Sequence, residues 1–235
     1  MILASAQDRV LAALEAVRDP ELDEPITRLG FVSSCTISAE GDVQVRLRLP
    51  TYFCAPNFAF LMVADAHDVV SALDGVRSAQ IVLEEHFASE AINAGVASRA
   101  GFARSFPGEA QDELHQLRSD FVRKAVLAGT DVVCRSLLSE GTDPSALASM
   151  TLGEAPPSPD RERLRARRAE LGLPVDDASP LVVDPATGYA VGGDDLPLHL
   201  RRAQSTRVGV EANTGICRGM LRHRYESAGL GEENR

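Results

Sequence analysis

The chain has 235 residues, 44% of them hydrophobic, enough for one large domain or two modest ones with real cores. Twenty-four basic residues against 34 acidic ones leave a net charge of -10, which argues against nucleic acid as a partner because phosphate binding needs a positive surface. No apolar run approaches the roughly 20 residues of a membrane span, so no membrane partner is expected. The amino end also lacks a basic region followed by an apolar one, and the expected setting is the cytoplasm.

Four cysteines, Cys35, Cys54, Cys134 and Cys217, stand far apart without a C-x-x-C pair. A structural zinc ribbon or a ferredoxin-type cluster site therefore has no support in the spacing. Disulfides are not expected in a reducing compartment.

In chain order, Ser5 can cap a helix with Asp8 three residues on, and Val10, Leu11, Leu14 and Val17 fall on one face at helical spacing. Asp19-Pro20 stops it. Residues 19–30 hold two prolines, a glycine and four acids and read as an ordered loop. Its carboxylates are either ligands or solvated helix caps, the second being the commoner use. Phe31 to Ile37 reads as a strand, 38–42 as a turn, and Val43, Val45, Leu47 and Leu49 alternate with polar residues in a second strand. A helix carrying Phe58, Leu61, Met62, Val69, Val70 and Leu73 covers that hairpin, Gly75 ends it, and Ser78 to Leu83 forms a third strand. The expectation is an α/β fold: a small α-β-β-α-β domain over 1–86, then a mainly helical extension and an irregular tail with a short hairpin.

Two places carry chemistry. Cys54 lies where the second strand has ended and the next helix begins, and unpaired N–H groups at a helix start favour a thiolate, the form that binds metal. Glu84 and His86, two residues apart at a strand end, would point the same way and are residue types that bind zinc or ferrous iron. The alternative for that pair is a cap and a half-buried histidine.

Beyond the first domain, 87–150 reads as a helical extension: a piece from Ser89 through Ala97, a long helix from Glu109 to about Ala128, and a restart after Gly129-Thr130-Asp131. Leu114, Leu117, Phe121 and Ala125 give the long helix its stripe, and Cys134 is expected to be buried and inert. Residues 151–160, with three prolines, read as a linker, and 161–235 as a tail. The tail holds a surface helix over Arg161 to Leu171 with five arginines and a hairpin over 181–191. Cys217 stands in a polar, glycine-flanked setting that looks less like core than that of Cys134.

Asp19-Pro20-Glu21-Leu22, Leu29-Gly30-Phe31-Val32, the hairpin, and Leu49-Pro50-Thr51-Tyr52 followed by Cys54 and Pro56 together resemble the metal-sulfur cluster assembly domain of the MIP-eighteen type. That family includes bacterial iron-sulfur maturation factors and a phenylacetate-degradation accessory protein. The resemblance covers roughly residues 7 to 85. It implies a cysteine tied to cluster or iron handling, and Ala55, between Cys54 and Pro56, departs from the family's usual Cys-Pro. Long forms with such an extension resemble proteins found beside bacterial diiron monooxygenases.

The resulting expectation is a metallocentre assembly or maturation factor that transiently binds iron or an iron-sulfur cluster, with zinc as another metal its ligands suit. Its ligands would be Cys54, with Glu84, His86 and Cys217 as further arms, and its partner a protein client such as a diiron hydroxylase. A homodimer sharing a cluster fits the same picture. The alternative is a chaperone or interaction protein without metal. Covalent catalysis by Cys54 would need an oriented base, and no motif selects one among His67, His86, His115, His199 and His223, so no enzymatic activity is expected.

Overall fold

A computed structural model describes residues 5–108 and 114–229. The chain divides into two compact units, residues 1–115 with 213–235, and residues 116–212.

In the first unit, helix α1 (Ala6–Leu14) starts at a reciprocal capping box: the Ser5 hydroxyl accepts from the Asp8 N–H and the Asp8 carboxylate accepts from the Ser5 N–H. Its buried face is Val10 and Leu14. The proline- and acid-rich stretch is ordered, as two short antiparallel strands, β1 (Arg18–Asp19) and β2 (Glu24–Pro25), and one helical turn, α2 (Ile26–Leu29). Gly30 ends that turn at φ 80°, where glycine is unstrained.

The sheet follows. Strands β3 (Val32–Ile37) and β4 (Asp42–Arg48) are antiparallel, and β4 buries Val43, Val45 and Leu47 on one face. Helix α3 (Pro56–Ser71) crosses over that face and returns the chain to β5 (Ser78–Glu84), which pairs parallel to β4 from Asp42 opposite Ser78 to Arg48 opposite Glu84. At the far end of this ladder Gly41 adopts φ 87°, and a Cβ there would stand 2.5 Å from the Gly75 carbonyl oxygen. The Arg77 N–H donates to the Gly41 carbonyl at 2.9 Å, and Ser78 Oγ donates to the Asp42 carboxylate at 2.6 Å. The α-β-β-α-β order read from the sequence is observed in α1, β3, β4, α3 and β5, with β4 central and the small β1–β2 pair and α2 added between α1 and β3. Helices α4 (Ser89–Ala97) and α5 (Phe102–Ser105) complete this part of the unit, and Ile92 and Val96 of α4 join its core.

The second unit differs from its reading in four ways. Helix α6 (His115–Ser139) is continuous and does not restart at Gly129, because Thr130 is buried and its hydroxyl is satisfied within the helix by the Val126 carbonyl at 2.8 Å. The start proposed at Glu109 lies outside the described residues. The stretch 151–160 is packed instead of spanning open solvent: Leu152 and Ala155 are 0% and 1% exposed and belong to the second core with Val126, Cys134 and Leu181. Helix α7 (Pro159–Glu170), capped by Ser158, is not wholly solvated. Arg168 is fully buried and donates to the carbonyls of Pro180 and Leu181. Lastly, the tail beyond a single Val183–Ala190 bridge is helical, not irregular: α8 runs from Leu196 to Gly229. Among the described residues no helix is long and apolar enough to cross a membrane.

Candidate functional site

Cys54 is the last residue before the Ala55 cap of α3, and Pro56, which has no N–H to lose, sits at the first helical position. The turn is tied locally. Thr51 Oγ1 accepts from the Phe53 N–H at 3.2 Å and lies 3.3 Å from Cys54 Sγ. The thiol is half-buried and packs on the edge of the first core.

His86 fixes the backbone of this residue. Its Nδ1 accepts from the Ala88 N–H at 3.2 Å, so its Nε2 carries the proton and donates to the Cys54 carbonyl at 2.7 Å. The residue is 3% exposed. Burial lowers its pKa from the usual 6.5, the Cys54 carbonyl opposes that, and Arg224 reinforces it. With both nitrogens engaged, His86 holds the thiol-bearing turn and has no free lone pair as placed.

Glu84 is elsewhere. Glu85 adopts φ 49°, which breaks the strand alternation, so residues 84 and 86 do not share a face. The Glu84 carboxylate accepts from Arg46 Nη1 at 2.6 Å, Arg48 Nε at 3.1 Å and Ser33 Oγ at 3.2 Å. Partial burial pushes its pKa up, but those three donors outweigh it and hold the group below the ordinary carboxylate range. Glu84 therefore sits in an ion-pair network on the sheet, away from His86.

Asp19, one of the loop carboxylates, and Arg224 also bear on this site. Asp19 is 8% exposed, and its Oδ1 accepts from the N–H groups of Glu21 and Leu22, each at 2.9 Å. Burial raises its pKa from 3.8 to about 6, the two N–H bonds opposing. The signal available in the sequence was an Asp-Pro pair flanked by Val17 and Leu22, which places a carboxylate among apolar neighbours. Arg224 of α8 donates to the carbonyls of Leu49 at 3.1 Å and Glu85 at 2.7 Å, one on each side of the Cys54 turn. No local pattern announces it.

Cys217 lies in α8, and the turn with Asp19 and Glu21 faces it. Its thiol is pushed up to about 11 by burial first and then by the negative charge of Asp19, Cys54 and Glu21. Cys134 is buried and pushed up to about 12, chiefly by the same desolvation. Cys35, on β3, is raised by burial alone. Tyr52, Phe53 and Phe87 are 47%, 76% and 49% exposed and form one ring cluster at Cys54, with centroids 5.0–6.3 Å apart. Among the described residues no group of three or more His, Cys, Asp and Glu side chains is placed to hold a metal ion.

Comparison with known proteins finds similarity in the first domain. An uncharacterized protein of Methanocaldococcus jannaschii is 29% identical over 87 residues, covering 37% of this chain and 90% of that protein. The crystal structure of a domain of unknown function from Bacillus anthracis shares 25% identity and covers 40% of this chain and 89% of its own, with a TM-score of 0.32. Residues 7–82 match the family model described as iron-sulfur cluster assembly protein. The amino-terminal α/β domain that carries Cys54 is thus the part of the chain similar to the iron-sulfur cluster assembly protein family, and the match ends at residue 82.

Proposed function

We propose that the protein is an accessory factor that holds iron or an iron-sulfur cluster in transit and passes it to a protein client. The observation that carries this is the thiol of Cys54, half-exposed at the head of α3 in a turn whose backbone His86 and Arg224 fix from two sides. A cargo carrier needs an open, incomplete site, because a closed four-ligand site keeps its metal. The exposed rings of Tyr52, Phe53 and Phe87 beside the thiol give a client an apolar surface to cover while cargo moves. The client class drawn from the resemblance of the long form is a diiron hydroxylase.

The test is anaerobic reconstitution with iron and sulfide, followed by elemental analysis and a visible absorption spectrum. Wild type should bind iron, and Cys54→Ala should bind none while keeping its far-ultraviolet circular dichroism. Equal stoichiometry in the two proteins refutes the role of Cys54. Capture of a hydroxylase by the apo protein as well as by the loaded one, with no transfer of iron, would favour the metal-free chaperone reading.

A further inference from the structure

Cys217 lies outside the matched family stretch, yet residues 213–229 belong to the same compact unit as the domain. Their contacts locate the thiol. One helical turn before it, Asn213 Nδ2 donates to Glu21 Oε1 at 3.2 Å; beside it, Arg218 pairs with Glu24. Two turns on, Arg224 grips the backbone on both sides of the Cys54 turn. Cys217 is therefore held between the Asp19–Glu24 turn and the head of α3. The thiols of Cys54 and Cys217 both pack on the rim of the first core, both are half-exposed, and Cys54 is among the groups whose charge reaches Cys217.

We propose that Cys54 and Cys217 form a two-thiolate cradle, so that the extension supplies one of the protein's ligands to a thiophilic cargo, ferrous iron or one edge of an iron-sulfur cluster. This rests on the reading of Cys54 as the cargo ligand and adds to it a second ligand from outside the matched stretch. Each thiol releases its proton to solvent as its sulfur–metal bond forms, with no change of oxidation state. With no third ligand gathered among the described residues, the cradle leaves the other coordination positions to the client. Thiolates select soft metals over magnesium or calcium, and two protein bonds permit hand-over.

Cobalt(II) tests this without any client. Under anaerobic titration the near-ultraviolet sulfur-to-cobalt charge-transfer band grows with the number of bound thiolates. Wild type and Cys35→Ser should give the full band, Cys54→Ser and Cys217→Ser each about half of it per bound cobalt, and the double variant none. A full band in Cys217→Ser with a loss in Cys54→Ser overturns the cradle and leaves the Cys54 reading standing. A full band in both single variants overturns both. Differential alkylation of the wild-type protein needs no variant to fold: bound cobalt should protect Cys54 and Cys217 together from iodoacetamide, and protection of Cys54 alone refutes the cradle.

Discussion

Replacing Asp19 by asparagine should stabilise the first unit at neutral pH and leave it unchanged in acid. The carboxyl is 8% exposed and its pKa lies at about 6 instead of 3.8, with desolvation the leading cause. The folded state therefore holds this proton more tightly than the unfolded chain does. Stability from this group is fully present below 3.8 and is lost as pH rises to about 6, above which the buried charge is a standing cost. At ~1.4 kcal/mol per tenfold change in proton affinity, that cost is about 3 kcal/mol. Asparagine keeps an oxygen to accept from the Glu21 and Leu22 N–H groups and removes the charge. Amide hydrogen exchange on β4, the central strand, reads this unit alone, and wild type and Asp19→Asn are compared at the same pH. At about pH 8 the variant should exchange up to about a hundredfold more slowly, and at about pH 4 the two should agree. A ratio that is the same at both pH values, or a variant that exchanges faster at neutral pH, refutes the argument. A carboxylate retained at such a cost beside Cys217 is the pattern of a working group, whose loss should weaken cargo binding while the fold gains.

Two further outcomes follow from buried groups. His86 is neutral in the fold with its pKa held below 6.5, so its contribution is intact above that value and is lost as pH falls and the unfolded chain takes up the proton. The difference between the thermal midpoints of wild type and His86→Gln should shrink from about pH 7 to about pH 5, and a widening gap would refute the neutral tautomer. Leu152→Ala should cost about 3 kcal/mol in urea unfolding, as expected of a fully buried leucine, against less than about 0.5 kcal/mol for a residue in a solvated linker.

The first domain was legible because its signals are local. The Ser5–Asp8 box, the strict alternation of Val43, Val45 and Leu47, and the thiol in the turn before Pro56 each lie within a few residues of the structure they specify. Two-residue strands such as β1 and β2 are too short to carry a period, and only their pairing defines them. In α6, Gly129-Thr130 looks like a stop, yet burial overrides propensity and Thr130 finds its bond inside the helix. In α8, Gly209, Gly215 and Gly219 interrupt any stripe, although nothing lies within 4 Å of where their Cβ atoms would stand. The glycines that flank Cys217 and give it a polar setting are helical. The pairing of Glu84 with His86 failed for one backbone reason, the left-handed Glu85, which no residue-type rule places there. The contacts of Arg224 join residues 139 and 175 positions apart in the chain, a separation that local pattern does not reach.

The close approach of Gly41 to Gly75 has a reach beyond its own turn. It lies at one end of a parallel ladder whose seven pairs run from Asp42–Ser78 to Arg48–Glu84, about 20 Å at ~3.3 Å per residue. A side chain at position 41 would push the crossover loop outward, and the strand it feeds could recover its bonds only by sliding. A slide of one residue exchanges the faces of β5, bringing Val82 and Glu84 inward and Ile81 and Leu83 outward. It would also move Glu85 and His86 along the axis by one step, taking the imidazole away from the carbonyl of Cys54. The aim of the thiol is in this sense calibrated from the opposite end of the ladder, at a pair of glycines remote from Cys54.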